Sequence, residues 1–133
     1  MKKILSILAL CSCISSANCQ HLYKIQSNTT AIWDNVSKTY TWGTKHYVVM
    51  DLTMKGSIIL VSDDAGSAYV AGQQITSEDK ADYQQYLWAA VDERKRTCYI
   101  KMLYPKINGK LTGEFQLYIL YKDFAIAYDI TNN

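Results

Sequence analysis

Residues 114–130 read EFQLYILYKDFAIAYDI, and this stretch decides the fold class. Its first half alternates two sets of side chains, which is the period of a strand with one buried face. The side chains expected on that face are Phe115, Leu117, Ile119 and Tyr121. After the polar pair Lys122 and Asp123, a second β-prone run extends from Phe124 to Ile130. Because so short a connection joins antiparallel neighbours, we predict a β-hairpin.

Runs of the same kind lie upstream, separated by short polar or glycine-containing breaks. They cover residues 31–34, 39–42, 46–54, 57–62, 68–71 and 97–104. In the run 46–54, His46, Val48, Met50, Leu52 and Met54 alternate with Tyr47, Val49, Asp51 and Thr53. The breaks are too short for helical crossovers. We therefore predict an all-β fold, a single antiparallel meander of about eight to ten strands that forms a small barrel or sandwich.

The stretch 77–96 has two interpretations. Ser77, followed by two acidic residues, is a good helix start, and a helical stripe could continue towards Val91. The alternative is one short helix near 78–83, a strand over 84–92, a turn, and a return strand over 97–104. In that return strand Cys98, Ile100, Met102 and Tyr104 alternate cleanly. We adopt this hairpin interpretation, with the short helix before it.

Length and charge exclude several classes of function. The chain has 133 residues and a formal net charge of +2, which is enough for one domain of ordinary globular composition. Lys2 and Lys3 are the only charged residues before residue 20, so residues 20–133 carry 12 basic and 12 acidic side chains and a net charge of zero. A nucleic-acid binder or a polybasic membrane-surface protein needs a surplus of cations. We predict neither.

The first 19 residues resemble a bacterial secretory signal peptide. Lys2 and Lys3 precede the apolar run 4–10, and small residues follow up to Cys19. We expect cleavage after Cys19, which leaves a single β domain over 20–133. A lipid anchor on Cys13 is the alternative that we favour less. The apolar run is too short to span a bilayer, so we predict no transmembrane helix and a periplasmic or extracellular location.

Few residues could support metal or thiol chemistry. Three of the four cysteines lie in the first 19 residues, which leaves Cys98 without a disulfide partner in residues 20–133. On an alternating strand it is expected to be a small buried apolar side chain. His21 and His46 have no second ligand at a recognisable spacing. We therefore predict no metal site and no cofactor.

Aromatic residues suggest a binding role. Residues 20–133 contain 11 tyrosines and three tryptophans, and these side chains are enriched in binding surfaces. Two groups are close in sequence, and their candidate ligand- or partner-binding residues are Trp33, Tyr40, Trp42, Tyr83, Tyr86 and Trp88. The competing interpretation is that such rings form cross-strand pairs that stabilise the sheet.

The sequence favours a non-enzymatic exported module that binds a protein partner or a small ligand. A partner-binding or inhibitor-like role is favoured over a lipocalin-like carrier, because so short a chain must use most apolar residues for its own core. One alternative is a small secreted hydrolase that uses Asp51 or Cys98, although Asp51 is more simply explained by a solvated strand face. Another is a structural envelope component with a flat apolar patch or a self-pairing sheet edge.

Overall fold

A computed structural model describes residues 20–62 and 66–132 of the chain, without the side chain of Asn132. The predicted signal peptide over 1–19, with its lipid-anchor alternative at Cys13, lies outside the described residues. Export and processing therefore stay predictions.

The described residues form ten strands. They are β1 (Gln20–Asp34), β2 (Thr39–Trp42), β3 (His46–Lys55), β4 (Ile58–Val61), β5 (Ser67–Asp79), β6 (Tyr83–Asp92), β7 (Thr97–Ile107), β8 (Lys110–Leu111), β9 (Glu114–Leu120) and β10 (Phe124–Asn132). Helices that could cross a membrane are absent from the part of the chain that the structure describes.

Every strand pairing is antiparallel, and the sheet closes on itself. The strands follow the order β1, β3, β4, β5, β6, β7, β9 and β10, and β10 pairs again with β1. Strands β2 and β3 pair with successive parts of the long strand β1: Ala31 pairs with Trp42 of β2, and Asn28 pairs with His46 of β3. The result is one meandering sheet held by a ring of backbone hydrogen bonds, which confirms the predicted all-β meander.

The core fills the inner face of this sheet. The alternation over 97–104 and 114–121 is confirmed, because Ile100, Leu117 and Ile119 are fully buried. The predicted division of β3 is also confirmed: Leu52 and Met54 are buried, whereas Tyr47 and Val49 are exposed on the other face. The described apolar residues with the deepest burial include Ile25, Leu52, Ile100, Leu117, Ile119, Ala125 and Ile130.

Aromatic rings pack against this apolar core. The Tyr104 ring stacks on Phe115 with centroids 5.0 Å apart, and Tyr23 meets the same Phe115 ring edge-on at 5.1 Å. Tyr86 contacts both Tyr104 and Trp88, with centroids 5.9 Å and 5.8 Å away. Offset-stacked and edge-on pairs of this kind stabilise a core beyond the burial of their surface.

The prediction of a short helix near 78–83 is wrong. Ser77, Glu78 and Asp79 belong to β5 and pair with Tyr86, Gln85 and Gln84. The helix-start residues are local signals, and the backbone hydrogen bonds of a long β5–β6 hairpin override them. The hairpin interpretation of the following stretch is confirmed, with β6 and β7 joined by a turn at 93–96. Strands β1 and β5 are longer than the predicted runs.

Candidate functional site

An open pocket of about 950 Å³ lies on the outer face of the sheet. Burial alternates along the strands, so Val91 and Tyr99 point away from the core side chains of Ala90, Cys98 and Ile100. Val91 pairs with Val70 on one side and with Thr97 on the other, and Tyr99 pairs with Leu120. These outward side chains form cross-strand rows that border the concavity. We call it the outer pocket; its lining residues include Trp33, Tyr40, Val70, Gly72, Ala89, Val91, Thr97, Tyr99, Leu120 and Lys122.

Small residues make the surface concave at this point. Gly72 of β5 and Ala89 of β6 are the small residues on the outward face of these neighbouring strands, and both line the outer pocket, whereas the side chains of Ala71 and Ala90 pack towards the core. A Cβ on Gly72 would lie 3.3 Å from the carbonyl oxygen of Ala89, so a larger residue there would crowd the next strand. The larger side chains of Val70, Val91 and Tyr99 line the pocket around these small residues.

The β1–β2 hairpin builds one wall of the outer pocket. Trp33 and Tyr40 are cross-strand partners, and their rings meet edge-on with centroids 5.1 Å apart. Two hydrogen bonds tie this wall to the β9–β10 turn: the Trp33 amide donates to the Asp123 carbonyl at 2.9 Å, and the Tyr40 hydroxyl donates to the Tyr121 carbonyl at 2.5 Å. The turn at 35–38 joins β1 to β2, and the Lys38 amide closes it by donating a hydrogen bond to the Asp34 carbonyl.

Rings continue from this wall along the outer face. Trp42 lies 6.2 Å from Tyr40 and 5.8 Å from Tyr118, measured between ring centroids. The Lys101 ammonium is 4.4 Å from the centre of the Tyr118 ring, which is a cation–π geometry. We call Trp33, Tyr40, Trp42 and Tyr118 the outer aromatic row. Trp33 and Tyr40 line the pocket, and the row continues beyond it through Trp42 and Tyr118 to Lys101.

A buried carboxylate lies beside the pocket residue Tyr121. Asp92, at the end of β6, accepts hydrogen bonds from the amides of Arg94 and Arg96 at 2.9 Å, from Nε of Arg96 at 2.8 Å and from the Tyr121 hydroxyl at 2.7 Å. Burial alone would raise the pKa of Asp92, but these four donors outweigh it and lower that pKa to about 2. The Arg96 guanidinium also lies 5.0 Å from the centre of the Tyr121 ring.

The six aromatic residues singled out from the sequence divide between two environments. Trp33 and Tyr40 line the outer pocket, and Trp42 lies beside them with its side chain exposed. Tyr86 is 0% exposed and packs with Trp88 in the core, so these two contribute to the packing of the inner face. Tyr83 begins β6 and donates a hydrogen bond to Glu78 at 3.3 Å. The binding role itself stays a prediction.

The alternative catalytic residues lie apart. Cys98 is buried, as predicted, and burial raises the pKa of its thiol to about 11. Asp51 is on the exposed outer face of β3, where it forms an ion pair with Lys24. His46 is exposed at the start of β3, and His21 stacks on Tyr23 with centroids 6.1 Å apart. Within residues 20–62 and 66–132, no group of three His, Cys, Asp or Glu side chains could hold a metal ion.

Sequence reasoning missed much of the outer pocket. Tyr99, Tyr118 and Leu120 lie between the inward-facing residues of β7 and β9, and each is aromatic or apolar although it faces outward. That contradiction was the available signal, since large apolar residues on an outward face mark interaction surfaces. Lys101 lies two residues after Tyr99 and therefore on the same outward face.

Comparison with known proteins finds no match to this chain among family models, curated proteins or solved structures.

Proposed function

We propose that this chain is an exported, non-enzymatic module that binds a protein partner through the outer pocket and its outer aromatic row. The observation that carries the proposal is an apolar concavity on the outer face of the sheet, with Val70 46%, Val91 37% and Tyr99 49% exposed. Isolated exposed apolar residues need no explanation, but a contiguous group around a pocket marks an interaction site. Two of the residues chosen from the sequence, Trp33 and Tyr40, are among its lining.

The shape of the site favours a protein over a small molecule. A small ligand binds best where the pocket covers most of its surface. Here the apolar surface continues past the pocket, because exposed Ile58 is the cross-strand partner of Val70. Aromatic side chains anchored at one border and aliphatic ones at the other resemble the centre of a protein interface.

The arrangement of candidate catalytic groups supports a non-enzymatic role. A hydrolase needs its nucleophile or base in a concave site within reach of a second catalytic group. Cys98 is among the residues that line the outer pocket, but its side chain is buried in the inner core cluster and no histidine is part of that lining. Asp51 lies on the outer face of β3, where Lys24 pairs with it. The Asp92 carboxylate is committed to four hydrogen bonds from its own neighbourhood.

Capture with matched variants tests the proposal. The full chain, with a C-terminal tag, is used as bait on envelope and culture-supernatant fractions, and bound proteins are identified by mass spectrometry. A first variant carries Val91→Ser and Tyr99→Ser in the outer pocket. The control carries Tyr47→Ser and Val49→Ser, which are 84% and 90% exposed on β3 and lie outside that pocket.

The expected result is one protein retained by the wild-type chain and by the control, and lost with the pocket variant. Ala89→Leu, which places a large side chain among the small residues of the pocket, should also lose it. Equal capture by all four chains would contradict the proposal. So would a co-purifying small molecule without any protein partner, since that result would indicate a carrier.

A further inference from the structure

Two cations bracket the outer pocket, and neither has a described anionic partner. Lys122 lines the pocket, and Lys101 lies beside it, on the same outward face as Tyr99. The ion pairs among described residues involve Lys24, Lys45, Arg96 and Lys106, so Lys101 and Lys122 have no described carboxylate within ion-pair distance. No acidic residue is part of the pocket lining.

Of the two lysines, Lys101 gives the stronger argument for an anionic group on the partner. Its side chain is partly buried on the sheet and packs over the Tyr118 ring at 4.4 Å. This burial removes water from the ammonium and lowers the pKa of Lys101. An ammonium that has lost hydration without gaining a carboxylate interacts more favourably with an incoming anion than a fully solvated one does.

Two acidic residues at the β6–β7 turn, beside the pocket, already accept hydrogen bonds. Asp92 holds the β6–β7 turn through its four hydrogen bonds, and Glu93 accepts a hydrogen bond from the Ala68 amide at 3.1 Å. The same turn exposes Arg94 and Lys95 immediately before the pocket residue Thr97. Burial and the Asp123 carboxylate raise the pKa of Tyr40, so one further acidic group lies near the pocket wall. The cations Arg94, Lys95, Lys101 and Lys122 still outnumber the carboxylates of Glu93 and Asp123 around the apolar surface.

We propose that the outer pocket receives an acidic, extended segment of the partner protein. An apolar side chain of that segment lies against Tyr99 and Leu120, and a neighbouring carboxylate pairs with Lys101. A second carboxylate reaches Lys122, which lines the pocket from the β9–β10 turn. This inference rests on the proposed function and adds the chemistry of the partner.

A titration with defined peptides tests it. The probe is the peptide acetyl-Gly-Glu-Leu-Glu-Gly-amide, added to the full-length ¹⁵N-labelled protein at millimolar concentration and followed by amide chemical shifts. The comparison peptides replace both Glu residues by Gln or by Lys, and dodecanoate represents a small amphiphilic anion. Lys101→Met removes the charge and keeps an apolar stem, Lys101→Arg keeps the charge, and Lys110→Met is the control at an exposed lysine of β8.

The Glu peptide should shift amides over 89–91, 97–101 and 118–122. Lys101→Met should weaken its binding on the order of fivefold, whereas Lys101→Arg and Lys110→Met leave it unchanged. The inference is overturned if the Gln or Lys peptide binds as tightly, if dodecanoate alone binds, or if no shift occurs. Shifts at the same amides that depend on protein concentration alone would assign the surface to a second copy and overturn it as well.

The two proposals can fail separately. Suppose that the double variant Val91→Ser, Tyr99→Ser abolishes capture of the partner but Lys101→Met does not weaken it. That result would support the proposed binding function and overturn the proposal that the partner segment is acidic. If neither change affects capture, both fall.

Discussion

The Tyr121 hydroxyl donates a 2.7 Å hydrogen bond to Oδ2 of Asp92 and thereby joins the β9–β10 turn to the β6–β7 turn. Arg96 donates to the same oxygen and covers the Tyr121 ring. Since Tyr40 donates to the carbonyl of Tyr121, the link continues into the β1–β2 hairpin. Three connections that are distant in sequence are thus held together around the outer pocket.

Removing this carboxylate should destabilise the fold and change its response to acid. The pKa of Asp92 in the folded state, about 2, lies below the unfolded value, so the folded state binds fewer protons between these values. Its contribution is complete above about pH 4 and is lost as the pH falls towards about 2. Asp92→Asn should lower the free energy of unfolding at pH 7 by about 2–3 kcal/mol.

Urea unfolding from pH 7 down to pH 2 measures this effect. The wild-type chain should lose more stability than Asp92→Asn over the acidic window, so that the two curves converge. Tyr121→Phe removes one of the hydrogen-bond donors to Asp92, so its curve of unfolding free energy against pH should lie between those of the wild type and Asp92→Asn. Parallel curves would show that Asp92 has no lowered pKa in the folded protein.

Cys98 should resist alkylation in the folded protein. With a pKa of about 11, its thiolate fraction at pH 8 is about one part in a thousand, and its side chain is buried. Iodoacetamide labelling, followed by peptide mass spectrometry to separate Cys98 from the other cysteines, should give fast modification only in denaturant. Fast labelling in native buffer would contradict the buried position and favour the thiol alternative.

Removing a buried aromatic side chain should destabilise the protein more than removing one that lines the outer pocket. Tyr86→Ala opens a cavity among Trp88 and Tyr104 and should cost about 3–5 kcal/mol in the free energy of unfolding. Trp33→Ala, at the wall of the outer pocket, should cost under about 1.5 kcal/mol and reduce capture of the partner instead. Denaturant unfolding with capture on the same samples checks both; the reverse order of costs would contradict the assignment.

The Asp51 carboxylate should be dispensable for both folding and partner capture. Its ion pair with Lys24 lies on an exposed face, where such pairs contribute about 0–1 kcal/mol. Asp51→Asn should therefore change the free energy of unfolding by less than about 1 kcal/mol and leave partner capture intact. Loss of capture with the fold preserved would revive a functional role for this carboxylate.

Local patterns in the sequence could predict the sheet but not the site. Alternation over 97–104 and 114–121 follows directly from which side chains the core requires, so those strands and their inner faces were predictable. The outer pocket was not, because it depends on register: Val70, Val91 and Thr97 become neighbours only when β5, β6 and β7 pair.

Backbone pairing between strands explains two results that the local sequence did not predict: the closure of the sheet, and a strand where a short helix was expected. The pairing of Ile25 with Ile130 joins residues near the two ends of the described chain, and no local signal specifies it. At 77–79 the local signals indicated a helix, but pairing with 84–86 satisfies the backbone better. The aromatic residues Trp33 and Tyr40 were found because they lie in one short hairpin.

The most direct test of the binding surface is hydroxyl-radical footprinting of the chain, free and bound to its captured partner. The account predicts that oxidation of Tyr99, Trp33 and Trp42 falls several-fold on binding, while Tyr47 on β3 is oxidised equally in both states. Protection of Tyr47 with unchanged oxidation of Tyr99 and Trp33 would contradict the assignment of the outer pocket as the binding site.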